Sequence, residues 1–197
     1  MPHLAGERYQ KILPHAAGFP EQGDFVMSLM SRRHVLGAIA LSGATLGTAR
    51  AIANPVKLDV AALKKDTDIA CLYHCDFGDT QRFSQMLTNM NNHLSAYEFD
   101  PMRIKLVIVA HGPGIKFFLA DRKGTPWEKD EIDDEIYKRF AGLSKFGVEA
   151  YLCEITYKRN KIDLAKTRPD SFLKFVPSGV ATVGELQSKG FAYLKVG

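Results

Sequence analysis

The sequence predicts an α/β domain in which helices flank a mostly parallel sheet. Short apolar runs of strand length occur at residues 68–73, 104–110 and 146–153. Stretches with helical periodicity separate them, and polar, glycine-containing turns follow the first two runs. Strands joined by helix-length connections must run parallel, and the run Ile104–Ala110, with no polar alternation, reads as a central strand covered on both faces.

The first strand is expected at Asp68–Tyr73, with His74-Cys75-Asp76-Phe77-Gly78-Asp79 as the turn after it. Asp79 or Thr80 then caps a helix whose Phe83, Met86, Leu87, Met90 and Leu94 recur at helical spacing and form one buried stripe. Asn89, Asn91, Asn92 and His93, toward the end of that helix, read as polar surface. Ile104–Ala110 runs directly into His111-Gly112-Pro113-Gly114, a glycine–proline turn that could hold an anion or thiolate on backbone N–H groups if a helix starts at Gly114. Trp127–Phe140 follows Pro126 as a helix with acids in its first half and Lys138-Arg139 in its second, as the helix dipole favours. The Cys153 strand comes next, and after it a connection from Lys158 to Pro169, an extended piece at Phe172–Val176, a helix Val180–Lys189 closed by Gly190, and a last strand Phe191–Val196.

The 197 residues carry 26 Lys/Arg against 22 Asp/Glu, a net of +4, with 46% hydrophobic and 24% charged residues. Those charges are spread along the chain rather than gathered in a basic stripe with interleaved aromatics, which argues against a nucleic-acid binder. Ser31-Arg32-Arg33 precedes an uncharged run from Val35 to Ala49, and Ala49-Arg50-Ala51 fits a small-x-small cleavage pattern, so the segment reads as a twin-arginine signal peptide. The run is short of the ~20 mostly apolar residues that a spanning helix needs. The expected organisation is therefore an upstream extension at 1–26, a signal peptide at 27–51 and a single α/β domain at 52–197. The expected location is the periplasm, with no membrane anchor after cleavage.

Right-handed crossovers bring the carboxyl ends of consecutive parallel strands to one rim, which places His74, Cys75 and Asp76, His111, and Cys153 with Glu154 together. Cys71 lies inside its strand and reads as a buried structural thiol. Two chemistries suit the rim. Cys153 can act as a nucleophile whose thiolate is favoured by a nearby imidazole or helix N-terminus, with Lys158 and Arg159 guiding an anionic donor. Alternatively His74, Cys75, His111 and Cys153 can ligate a metal or haem, although CxxC, CxxCH and HExxH spacings are absent from the sequence. A Cys75–Cys153 disulfide is a third arrangement that an oxidising compartment allows.

The segments His74–Asp79, Leu87–His93, Ala110–Gly114, Tyr151–Cys153 and Val176–Ala181, in this order and spacing, resemble the DsrE/DsrF-like family of sulfur-relay proteins. The resemblance spans nearly the whole domain, and is strongest to exported single-domain members with a His-Gly-Pro-Gly turn. It implies a flavodoxin-like domain, assembly into homo-oligomers such as trimers or hexamers, and a cysteine that holds a persulfide, a role that falls on Cys153. The functional expectation is an exported sulfur carrier, or sulfurtransferase-like protein, acting through Cys153. His111 and His74 would serve as acid/base or orienting groups, and other proteins as sulfur donor and acceptor. The alternative is a non-catalytic periplasmic module holding a metal or small anion at the His74/His111/Cys153 rim. No cofactor is implied, and whether a metal binds is left open.

Overall fold

The structure is a computed structural model that describes residues 55–197. The upstream extension and the signal peptide expected at 1–26 and 27–51 lie outside the described residues. Six strands, β1 (Val56–Lys57), β2 (Ile69–Cys75), β3 (Ile104–Ala110), β4 (Glu149–Cys153), β5 (Leu173–Val176) and β6 (Ala192–Leu194), form one sheet in the order β1-β5-β4-β3-β2-β6. Every pairing is parallel. The helices are α1 (Thr80–Ser95), α2 (Asp134–Ser144), α3 (Glu154–Arg159) and α4 (Gly179–Ser188), with short 3-10 turns at Val60–Ala62, Gly112–Phe118 and Leu164–Lys166. Among the described residues no helix is long and apolar enough to cross a membrane.

Strand order explains why the two faces differ. From β2 the chain steps to β3, β4 and β5 in one direction, and α1 and α2 pack on a single face against Cys71, Tyr73, Leu106, Ile108, Ala150 and Leu152. It then returns across the sheet through α4 to place β6 beside β2, covering the opposite face, where Leu72, Val107, Val109, Tyr151, Val176 and Leu186 meet. The side-chain period of two assigns each residue to its face once the register is known.

Helix α1 forms as the sequence predicts. The Asp79 carboxylate accepts the Arg82 N–H at 2.6 Å, satisfying one of the free donors of the first turn, and all five residues of the apolar stripe are buried. Phe83, 1% exposed, stacks on Phe117 with ring centroids 4.1 Å apart. Truncating it removes a large apolar surface from a site closed on every side. Phe83→Ala is expected to cost about 3–5 kcal/mol, read as a lower urea midpoint at unchanged slope.

Three sequence expectations require correction. Strand β2 does not stop at Tyr73: His74 pairs with Val109 and Cys75 with Ala110, so the polar residues complete the ladder. The helix expected from Trp127 begins only at Asp134. Side chains compete with the helix before that point: Gly124 donates its N–H to Glu128, Trp127 donates to Thr125 Oγ1, and the Asp130 carboxylate is drawn 2.5 Å from the buried Lys116 ammonium. Asp133 then caps α2, accepting the Glu135 N–H at 2.9 Å. Between Cys153 and the connection expected from Lys158 the chain is helical, because α3 starts at Glu154, runs to Arg159 and buries Thr156 and Tyr157.

Candidate functional site

Register brings the sequence-predicted residues to one place. Cys75 pairs with Ala110 and Ala110 with Leu152, so His111 and Cys153 stand one residue further along neighbouring strands. Parity then sorts the side chains. His74 follows Leu72, His111 follows Val109 and Cys153 follows Tyr151 at spacings of two, so all three share the α4 face at the carboxyl ends of β2, β3 and β4. Cys71 and Cys75 point to the α1/α2 face, and all three cysteines are free. Cys75 and Cys153 therefore lie on opposite sides of the sheet, which rules out the disulfide considered from sequence.

The turn after β3 is locked in detail. Gly112 adopts φ +54 and donates its N–H to Thr156 Oγ1 of α3 at 2.9 Å. The His111 N–H reaches the Cys75 carbonyl at 3.1 Å, and the Gly114 N–H turns back to the His111 carbonyl at 3.1 Å. These backbone donors are used by the turn itself, so the anion cradle expected at Gly114 is not formed there. The turn instead presents the His111 side chain.

That side chain meets His74 with Nε2 atoms 2.6 Å apart, and His74 Nδ1 lies 3.0 Å from the Tyr193 hydroxyl on β6. Two nitrogens that each bind one zinc at about 2.0–2.1 Å in tetrahedral geometry stand more than about 3 Å apart. The direct contact thus fits a shared proton and not a bridging ion. Among the described residues, no three His, Cys, Asp or Glu side chains gather as a metal-ligand set.

Helix α4 closes the site from above. Ser178 caps it, its Oγ accepting the Ala181 N–H at 3.3 Å, and Gly179 packs directly on the candidate residues. A Cβ on Gly179 would lie 2.8 Å from His111 Cβ and 3.1 Å from Cys153 Cβ, so only glycine lets the helix start this close to both. Cys153 is buried, 5% exposed, at the end of β4. Exposed Ile155 and Val180 follow Cys153 and Gly179 in the chain. A hollow of about 410 Å³ bordered by Glu154, Ile155, Lys158 and Pro177 opens beside these segments. Lys57 pairs with Glu154 at 2.6 Å, so the cation nearest Cys153 in the chain that lines this hollow is Lys158.

Burial depresses the basicity of both histidines. In His111 the neighbouring His74 acts in the same direction, and Arg82 does so in His74, while the Asp76 carboxylate opposes the shift in each. His93, bonded to Tyr73 at 3.1 Å, is lowered by burial as well. Since the unfolded chain takes up these protons first, stability is present above the ordinary histidine pKa of about 6.5 and is lost as pH falls toward the lower folded values. Melting temperature is expected to decline on acidification through that window, and less steeply in His111→Gln. The Cys75 thiol, wholly buried, is pushed up strongly by desolvation and stays protonated.

The sequence supplied His74, His111 and Cys153, and the structure gathers all three. It did not supply Tyr193 or Thr156, and it gave Gly179 only as part of a turn before a helix. A Pro-Ser-Gly immediately before α4 is a signal for a tight helix start, whereas Tyr193 joins the site through the pairing of β6 with β2, which no local pattern announces.

The chain has relatives. An uncharacterized protein of Aquifex aeolicus (strain VF5) is 28% identical over 127 residues, 64% of this chain and 55% of that protein. The chain thus spans about half the length of this curated relative. A protein of unknown function from Methanobacterium thermoautotrophicum, MTH1491, shares the fold with a TM-score of 0.52 at 21% identity, over 65% of this chain and 99% of its own. The model of the DsrE/DsrF-like family matches residues 79–196, from the cap of α1 to the end of the sheet. The chain belongs to the DsrE/DsrF-like family.

Proposed function

We propose that the protein is an exported sulfur carrier that holds sulfane sulfur as a persulfide on Cys153. The observation that carries this reading is the placement of Cys153 at the end of β4, on the same face as the His74–His111 pair and against the start of α4. A free cysteine in a strand is ordinarily a small core residue. Here the thiol lies at the strand's carboxyl end, where parallel sheets collect their ligands, with Cys153 and His111 both packed under Gly179.

The transfer is balanced without a redox partner. The Cys153 thiolate attacks the outer sulfur of a donor R–S–SH, an Sγ–S bond forms, the donor S–S bond breaks, and R–S⁻ leaves with its electron pair and takes up a proton. Delivery reverses the step onto an acceptor thiolate. Oxidation state is conserved, so the carrier needs only a donor, an acceptor and proton management by His111 and His74. Lys158, beside the hollow, suits an anionic donor.

Family membership supports a role of this class, and the Arg32-Arg33 segment supports export to the periplasm. A homo-oligomer, a trimer or hexamer, would also cover exposed Val180 and Ile155, apolar residues 68% and 40% accessible in the single chain. Reduced protein treated with polysulfide and desalted is expected to release sulfur to cyanide as thiocyanate, in proportion to protein. Protein that yields no thiocyanate would remove the reading.

A further inference from the structure

We propose that Tyr193 is a positioning residue that fixes the tautomers of the histidine pair, so that His111 meets its ligand as an N–H donor through Nδ1. The chain of contacts is continuous: the Tyr193 hydroxyl lies 3.0 Å from His74 Nδ1, and His74 Nε2 lies 2.6 Å from His111 Nε2. The His74 ring also packs edge-on to Tyr193 and tilted against His111, so the rings are held as well as bonded.

Proton counting gives two registers. At 2.6 Å one proton, and only one, lies between the two Nε2 atoms. If His74 supplies it, neutral His74 has a bare Nδ1 that accepts from the Tyr193 hydroxyl, and neutral His111 carries its own proton on Nδ1. If His111 supplies it, His74 carries its proton on Nδ1 and donates it to the phenol oxygen, leaving His111 Nδ1 bare. The registers differ in what Tyr193 does. A phenol O–H is a good donor to an imidazole nitrogen, while the phenol oxygen, its lone pair delocalised into the ring, is a poor acceptor. Tyr193 therefore selects the first register.

The neighbours leave that choice in place. Arg82, the cation acting on His74, is engaged elsewhere, donating to the Val196 carbonyl at 2.7 and 3.1 Å and lying over the Phe77 ring. Asp76 acts on both rings through its charge but is hydrogen-bonded to neither. His111 Nδ1 has no hydrogen-bond partner among the described residues and is not sealed from solvent, which leaves its N–H free for a ligand.

A donor at this position suits a ligand atom that carries or develops negative charge, such as the departing thiolate or sulfite of a sulfane-sulfur donor. That ligand class rests on the sulfur-carrier reading, whereas the tautomer assignment does not. His111 would thus protonate or hold the leaving group, and would not serve as the base that ionises Cys153.

The test is nitrogen-15 NMR of histidine-labelled full chain at mildly alkaline pH, with no sulfur donor present, where Nδ1-H and Nε2-H tautomers have distinct signatures. The expected wild-type result is His74 protonated at Nε2 and His111 at Nδ1. In Tyr193→Phe the ratio of the two registers should fall about fivefold, the factor supplied by one net hydrogen bond of about 1 kcal/mol. The reverse register in the wild type, which needs no variant to fold, overturns the assignment, as does an unchanged ratio in a Tyr193→Phe protein with native melting behaviour. Failure to take up sulfur would overturn the carrier reading alone, because the tautomers are read without sulfur.

Discussion

Gly114→Ala is expected to cost about 3 kcal/mol, a large share of the roughly 5–15 kcal/mol that holds a domain folded. A Cβ there would lie 2.1 Å from the Cys75 carbonyl oxygen and 2.8 Å from its Sγ, and neither can retreat. The oxygen belongs to the β2 backbone and accepts the His111 N–H, and the sulfur is sealed in the core. The turn after β3 must therefore lift away from β2, carrying His111 out of contact with His74. Chemical denaturation measures the stability loss, and the altered His74–His111 contact should appear as a changed melting profile against pH. Gly142→Ala is the matched control: it sits inside α2 with no atom within 4 Å of its Cβ position, and should gain about 0.5–1 kcal/mol.

The second large effect is chemical. Cys153→Ser is expected to reduce sulfur uptake to background while leaving the fold intact, since serine differs from cysteine by one atom and fits the same space. Cys75→Ala is expected to do the reverse. Its thiol is fully buried on the other face and held protonated, so removal should open a small cavity and lower stability without reducing uptake. Measuring thiocyanate release and urea midpoints on the same preparations separates the two. Loss of uptake in Cys75→Ala with retention in Cys153→Ser would assign the chemistry to the wrong thiol.

Much of this architecture can be read from local pattern. The bounds of β3 follow from Ile104 and the five uninterrupted apolar residues Leu106–Ala110, and the buried face of α1 from five residues at helical spacing behind an aspartate cap. The start of α2 could not be read so directly, because the acidic stretch that suits a helix N-terminus also supplies carboxylates to Gly124 and Lys116. Helix α3 was hidden because Ile155-Thr156 continues the β-branched character of a strand.

The site divides along the same line. His74, His111 and Cys153 were visible as reactive residues at strand ends. That Cys75 stands apart from them depends on register, which is set by how whole strands pair. Tyr193 enters from the far end of the chain because the crossover through α4 lays β6 against β2, a long-range consequence of topology.

The most direct test of the central claim is peptide mass spectrometry of reduced wild-type protein after exposure to polysulfide or thiosulfate. The mass of one added sulfur is expected on the peptide containing Cys153, and not on those containing Cys71 or Cys75. Sulfur on Cys71 or Cys75 with Cys153 unmodified, or none on any of the three, would contradict it.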